Sequence, residues 1–335
     1  MSSDVAIVTD APRNSGVGIM TEMLLQALSS FKNVSLVSFN TYSYKHSAIA
    51  KLRPIMKHPE INAKLVIAAD TFTSNYISNP DIVIVHHPNI LKNPHNYPKS
   101  SYLVFKYSLS RIMRKSSKLV VFSQFSKNTL LEETNIDESD IHLVHPFSML
   151  PIPSRDDIVN VMNRFNIKAS KKIRVIAVGT SGLLKNFGTL YKAVRNQDID
   201  VIRIGGNASM ERKTFGEIPD NVTYIEGGSL SDIEMAALYK LSDMLVFTGT
   251  DEGFGRPLIE AMSLGLPVIG NFCTTVPEII GENQLKIKDP FNYDDLRKKI
   301  FECFADLSFY MSDARKRAEM YSKEKCISDL QKIVL

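Results

Sequence analysis

The sequence predicts an α/β protein made of two parallel-sheet units, and three observations carry that expectation. Short apolar runs such as Val5–Thr9, Ile82–Val85 and Ile173–Val178 have the length and β-branched character of buried strands, and each is followed by a loop and then a helical pattern. That rhythm is the one parallel sheets require. The chain has 335 residues, 44% of them hydrophobic, enough for two domains of about 150 residues each. Between them, Pro151-Ile-Pro-Ser-Arg-Asp-Asp157 has two prolines among polar residues and reads as a linker, which sets domains at 1–151 and 152–335.

In the first half, Val5–Thr9 leads through Asp10-Ala-Pro-Arg-Asn-Ser-Gly-Val-Gly18 into an amphipathic helix ending near Leu28. Gly16 and Gly18 permit close approach of backbone N–H groups to a diphosphate, although many G-x-G turns are only structural. A dinucleotide dehydrogenase requires a third glycine and an acidic residue ending the second strand. Here the third glycine is missing and the second strand, Val34–Phe39, ends Ser38-Phe-Asn40, so that reading fails. Strands follow at Leu65–Ala69 and Ile82–Val85, the latter running into His86-His87-Pro88-Asn89, where open α/β sheets bind ligands. Adjacent histidines on extended chain point opposite ways and no partner spacing suggests a metal. Structural and ligand-facing roles both stay open for the pair. Lys99–Lys118 reads as a basic amphipathic helix, either core-packed with a solvated face or docking to an anionic membrane or lipid-linked acceptor. Strand Lys118–Ser123 and helix Gln124–Leu131 precede Ile141-His-Leu-Val-His-Pro146.

The second half opens with Ile173–Val178 and the loop Gly179-Thr-Ser-Gly-Leu-Leu-Lys-Asn-Phe-Gly188, placing Lys185 at a helix start where its ammonium either pairs with a phosphate or, as most isolated loop lysines do, stays solvated. Val201–Ile204 ends at Gly205-Gly206, and Asn221–Gly227 precedes a helix from Ser231 whose Ser231 and Glu234 make a capping box. Asp198-Ile-Asp200 matches a D-x-D metal motif, a triplet common by chance, and no metal site is assigned. Helices Asp294–Ala305 and Ala314–Val334 close the chain.

Composition narrows the class. The +4 formal charge lies in the first half, where residues 1–150 carry fifteen Lys or Arg against eleven Asp or Glu, and all seven histidines lie there too. Cys273, Cys303 and Cys326 lack metal-ligand spacing and fit reduced thiols. No run of about 18 uncharged apolar residues occurs and Met1-Ser-Ser-Asp4 leads straight into a strand, so a cytoplasmic protein is expected, peripheral at a membrane if 99–118 docks there. No nucleic-acid partner and no cofactor are expected.

The most informative stretch is Thr248-Gly-Thr-Asp-Glu-Gly-Phe-Gly-Arg-Pro-Leu-Ile-Glu-Ala-Met-Ser-Leu-Gly-Leu-Pro-Val-Ile-Gly270. A buried strand ends at Phe247, Gly253 and Gly255 allow a sharp turn around Phe254, and Pro257 suits the first helical position. Gly265 suits the C-terminal cap. Free N–H groups at such a helix start favour a phosphate. Glu252 lies in the turn and Glu260 about one helical turn inside, so both carboxylates can face a ligand across the helix mouth and accept hydrogen bonds from its hydroxyls, the alternative being a helix-capping Glu252 and a Glu260 on a solvated face.

This stretch closely resembles the E-x7-E signature of the retaining GT-B glycosyltransferases of the family-four type, whose form E-G-F-G-x-P-x-x-E-A-M-x-x-G-x-P-V is matched at every fixed position. The resemblance implies two Rossmann-like domains facing a central cleft, the first holding the acceptor and the second a nucleoside diphosphate sugar, with the last helix crossing back to the first domain. It implies contact of Glu252 with the transferred sugar and of Glu260 with the ribose, donor contacts from Gly253, Phe254, Gly255 and Arg256, and diphosphate contacts from Gly16, Gly18 and Lys185. It also implies an active-site histidine, with His86 favoured over His87. Relatives place an arginine near the lysine, yet Thr180 and Leu184 occupy those positions, which leaves Arg256 as the substitute or a weaker clamp. The activity implied is metal-independent hexosyl transfer with retention, to a glycan or lipid-linked acceptor. A nucleotide-sugar epimerase, a phosphorylase, or a non-catalytic nucleotide-sugar-binding relic are the alternatives.

Overall fold

The computed structural model describes residues 3–38, 61–115, 117–226 and 230–335. Phe39 and Asn40 of the second-strand reading, His46, His58, Ser116 of the basic segment and Gly227 lie outside them. The chain divides into two compact units, Met1–Phe147 together with Ser322–Leu335, and Ser148–Tyr321.

The first unit holds a six-stranded sheet of β1 (Ser3–Thr9), β2 (Val34–Ser38), β3 (Ala63–Ala68), β4 (Ile82–Ile84), β5 (Lys118–Val121) and β6 (Ile141–Leu143) in the order β2-β1-β3-β4-β5-β6. Every pairing is parallel. Its core gathers Val8, Val83, Val121, Phe105, Leu109, Ile112 and Leu130, which joins the sheet to helices Lys99–Met113 and Gln124–Glu133. The final helix, Lys323–Val334, also belongs to this unit. Buried Asp329 fixes it by accepting from the His145 backbone N–H at 3.2 Å and pairing with His145 Nδ1 at 2.7 Å.

The second unit holds β7 (Ile173–Val178), β8 (Ile199–Ile204), β9 (Val222–Ile225), β10 (Met244–Phe247), β11 (Val268–Asn271) and β12 (Leu285–Ile287), again all parallel, in the order β12-β11-β10-β7-β8-β9. The order reverses between β7 and β10, and a switch point of this kind, at the carboxyl ends of the strands, is where such sheets bind ligands. In the first sheet the reversal falls between β1 and β3.

Three expectations change. Arg155-Asp156-Asp157 is not linker but the first turn of helix Arg155–Arg164, because Ser154 and Asp157 satisfy each other's backbone N–H groups in a capping box. The basic helix stops at Met113, and Lys118 starts β5. The closing helical stretch divides at Ser322, whose hydroxyl caps Lys325 N and starts a new helix. The Asp198-Ile-Asp200 triplet lies at the amino end of β8, away from the ligand edge, with Asp198 paired to Lys172 at 3.1 Å.

Candidate active site at the carboxyl edge of the second sheet

The loops that follow β7 and β10 are sewn together across the switch point. Leu184 O accepts from Thr250 N at 2.8 Å, and Lys185 O accepts from Thr248 Oγ1 at 2.7 Å. This fixes the short 3-10 turn Leu183–Lys185 beside the residues leaving β10. Lys185 Nζ then meets Glu252 Oε1 at 2.6 Å and stands 6.0 Å from the Phe247 ring centroid. The Glu252 carboxylate folds back over Gly249, where a Cβ would lie 2.3 Å from Oε1, so only glycine leaves room for it. Glu252 is buried, and that burial raises its pKa while Lys185 opposes the rise. Of the three ammonium donors, one serves Glu252, which leaves hydrogen-bonding capacity for a ligand oxygen.

Gly255 turns the chain at φ +90°, and helix Arg256–Ser263 begins immediately, with Pro257 inside its first turn and Gly265 at φ +75° behind its end. Glu260 sits on its buried face. Tyr239 OH donates to its Oε2 at 3.0 Å and Arg256 reaches its Oε1 at 2.7 Å. Burial raises the Glu260 pKa, and Arg256 and Tyr239 offset part of that rise. Arg256 thus pairs one turn along its own helix with Glu260. Gly253 and Phe254 are buried in the turn, and the Phe254 ring meets Tyr321 edge-on at 6.0 Å.

Behind this turn the chain leaves β11 through Cys273–Thr275. Thr274 has φ +46°, a conformation that a β-branched residue adopts only when its surroundings enforce it, and its hydroxyl accepts from Glu252 N at 3.3 Å. Thr275 Oγ1 donates to Phe254 O at 2.9 Å, and Asn271 Nδ2 donates to Thr248 O at 2.6 Å. Glu252 is thus positioned by three separate loops. On the other side of β7, Arg203 is fully buried and paired with Glu211, stacked 3.5 Å from the Phe187 ring centroid. Glu211 also accepts from Ser181 Oγ and Tyr224 OH, each at 2.9 Å, and Ser181 Oγ accepts from Asn207 N at 2.7 Å. Gly206 fits there because a Cβ would lie 2.0 Å from Ser181 Oγ. This network braces the β7 loop against the β8 loop.

Gly249, Tyr239 and the Arg203–Glu211 pair were not singled out from sequence. Gly249, three residues before Glu252, had a visible signal; the others are brought in by the sheet topology. Thr180 is exposed, Leu184 engages Thr250 through its carbonyl, and neither supplies charge at the positions where an arginine is expected.

The remaining sequence candidates lie in the first unit. His86 follows β4 at the carboxyl edge, where its Nε2–H donates to Ala69 O at 2.8 Å and its ring stands 5.4 Å from Phe122. Burial holds it neutral, with a pKa lowered to about 4, so Nδ1 is the acceptor of the ring. His87 is exposed. Of the two glycines, Gly18 is explained within the chain: its N–H donates to the Ser15 hydroxyl at 3.0 Å, and a Cβ there would lie 2.0 Å from Pro12 O. That takes its amide away from the diphosphate contact expected of it. Gly16 has open space beside its Cα.

Residues 161–325 match the sequence model of the family described as "Glycosyl transferases group 1". That match spans most of the second unit. Across the whole chain the fold is GT-B: the structure of sucrose-phosphate synthase from Thermosynechococcus elongatus superposes with a TM-score of 0.80 at 16% identity, covering 98% of this chain and 97% of that one. WaaG, a glycosyltransferase of lipopolysaccharide biosynthesis, gives 0.71 at 14% identity over 97% and 98%. Among characterised sequences, O-antigen chain mannosyltransferase B of Escherichia coli is 23% identical over 73% of this chain and 67% of its own length. Serotype-specific mannosyltransferase WbdA of Escherichia coli is 36% identical over 83 residues, and there the chain spans 10% of the relative's length. Among the described residues, no helix is long and apolar enough to cross a membrane.

Proposed function

We propose that the protein transfers a hexose, mannose being the first to test, from a nucleoside diphosphate sugar to a hydroxyl of a glycan or lipid-linked acceptor, with retention at the anomeric carbon and without a metal. The observation that carries this reading is the pair of buried carboxylates, Glu252 and Glu260, flanking one helix start at the switch point, with Lys185 held against the first. The mannosyltransferase relatives support the sugar class.

In this reading the ribose hydroxyls hydrogen-bond to Glu260, which has acceptor capacity left on both oxygens beyond Tyr239 and Arg256. The sugar hydroxyls meet Glu252. The diphosphate lies across the helix mouth near Gly255, where backbone N–H groups and the Lys185 ammonium offset the charge that grows on the leaving group. On the first unit, the neutral imidazole of His86 offers Nδ1 as an acceptor for a substrate hydroxyl. The departing phosphate takes the acceptor proton, so no side chain serves as general base.

A thermal-shift screen with UDP, GDP and ADP sugars tests the donor class, since a bound ligand raises the melting temperature by mass action. Stabilisation by one sugar nucleotide, followed by nucleoside diphosphate release only when acceptor is added, is the expected result. An altered sugar without transfer shows epimerisation instead, and binding without turnover shows a relic.

A further inference from the structure

Side chains of the segment leaving β11 meet, one after another, the backbone of the segment leaving β10. Asn271 Nδ2 donates to Thr248 O at 2.6 Å, the Cys273 thiol to Gly249 O at 3.2 Å, and Thr275 Oγ1 to Phe254 O at 2.9 Å. These side chains all donate to carbonyls. Thr274 instead accepts, its Oγ1 taking the N–H of Glu252 at 3.3 Å. It therefore holds the residue that carries the carboxylate facing Lys185.

Thr274 does this from a backbone that disfavours it. Among the described residues, positive φ outside glycine occurs at Asn166, Asn186, Asn196 and Thr274. Asparagine visits that region readily, whereas a β-branched side chain is crowded there by its own backbone. The turns at Gly205, Gly206, Gly255, Gly265 and Gly281 take their positive φ with glycine. Glycine at 274 would hold the same turn without strain, at the loss of the hydroxyl. Strain of this kind clusters at functional sites. Glu252 is buried, and a buried amide N–H needs an acceptor.

We propose that Thr274 is a positioning residue for sugar transfer: its hydroxyl, kept at the cost of a strained backbone, fixes the Glu252 main chain and, through it, the carboxylate that meets the donor sugar. The inference rests on the transfer reading given above. Thr274 acts through Glu252. Glu260 is held separately by Tyr239 and Arg256, so binding of the nucleoside diphosphate does not depend on Thr274.

The test compares Thr274→Gly, Thr274→Ser and Thr274→Val in the full chain by thermal melting, by calorimetric titration of nucleoside diphosphate, and by steady-state transfer from the donor that wild type uses. Thr274→Gly should melt no lower than wild type, because strain is released and water fills the space beside Glu252 N. It should bind nucleoside diphosphate within about twofold of wild type and lose about tenfold in kcat, the effect of one hydrogen bond. Thr274→Ser keeps the hydroxyl and should hold kcat within about threefold of wild type. Thr274→Val keeps the branched side chain without the hydroxyl, so it should melt lower than wild type and lose kcat as the glycine variant does. Wild-type transfer by both Thr274→Gly and Thr274→Val overturns the inference. So does a serine variant as slow as the glycine variant, a glycine variant that melts below wild type, or a loss of nucleoside diphosphate affinity that matches the loss of transfer. If wild type transfers sugar from no donor, the transfer reading fails and takes the role in transfer with it; the melting order, glycine at or above wild type and valine below, then still decides whether a strained Thr274 holds Glu252.

Discussion

The carboxyl edges of the two sheets have the same architecture and opposite chemistry. At the second, buried charges are held in pairs: Lys185 on Glu252, and Arg256 with Tyr239 on Glu260. At the first, the group expected to be functional is a neutral imidazole tied to a backbone carbonyl. The difference teaches that one fold, used twice, can carry paired buried charges at one edge and a neutral ring at the other. It also explains which unit could be read from the chain. Paired carboxylates around a glycine turn are local in sequence, while the surroundings of a single histidine are assembled from three strands.

The largest expected effect breaks the second edge. Lys185→Ala leaves Glu252 buried without its partner, so the carboxyl pKa rises further and the group protonates. Transfer falls by roughly 10²- to 10³-fold if Lys185 also offsets charge on the leaving diphosphate. Steady-state kinetics on Lys185→Ala and on Lys185→Ala/Glu252→Gln separate the two roles: the double variant regains thermal stability and not activity. Recovery of both would reduce Lys185 to a structural partner.

The first edge is tested by pH. Unfolded His86 takes a proton near 6.5, and the folded ring near 4. Between those values the unfolded state binds more protons, so stability from this group is complete above pH about 6.5 and is lost as pH falls toward 4, in total about 3 kcal/mol. Denaturant titrations across this window should show a shallower decline for His86→Gln. An identical decline would mean that the ring is hydrated and not held neutral by burial.

A smaller effect separates the glycines of the first unit. Gly18→Ala forces a Cβ against Pro12 O and should cost about 1–3 kcal/mol, measured by thermal melting. Gly16→Ala meets open space and should change stability little. If Gly18→Ala melts like wild type, the internal role given to Gly18 is wrong.

Much of the second unit was legible because its signals are short-range. The strand into Phe247, the turn through Gly253–Gly255, the helix carrying Glu260 and the Gly265 cap all fall within one stretch, and the Ser231–Glu234 capping box is as local. The Ser154–Asp157 box had the same kind of signal, masked by two prolines that suggested a linker. What the sequence hid is non-local. Tyr239 reaches Glu260 from the helix before β10, so it is not marked until the strand order is known. The buried Arg203–Glu211 pair is likewise assembled from separate elements, with Phe187, Tyr224 and Ser181 enclosing it. For Gly18, sequence marks the glycine but not whether a ligand or Pro12 occupies the space beside it.

The central claim is that the two buried carboxylates divide one donor between them. Calorimetric titration of the nucleoside diphosphate and of its sugar nucleotide into Glu260→Ala and Glu252→Ala measures this most directly. Glu260→Ala should weaken both ligands by about tenfold or more, the loss of a charged hydrogen-bond acceptor, while Glu252→Ala should bind the nucleoside diphosphate nearly as well as wild type and lose transfer. Two variants with wild-type affinity and wild-type transfer would contradict the account.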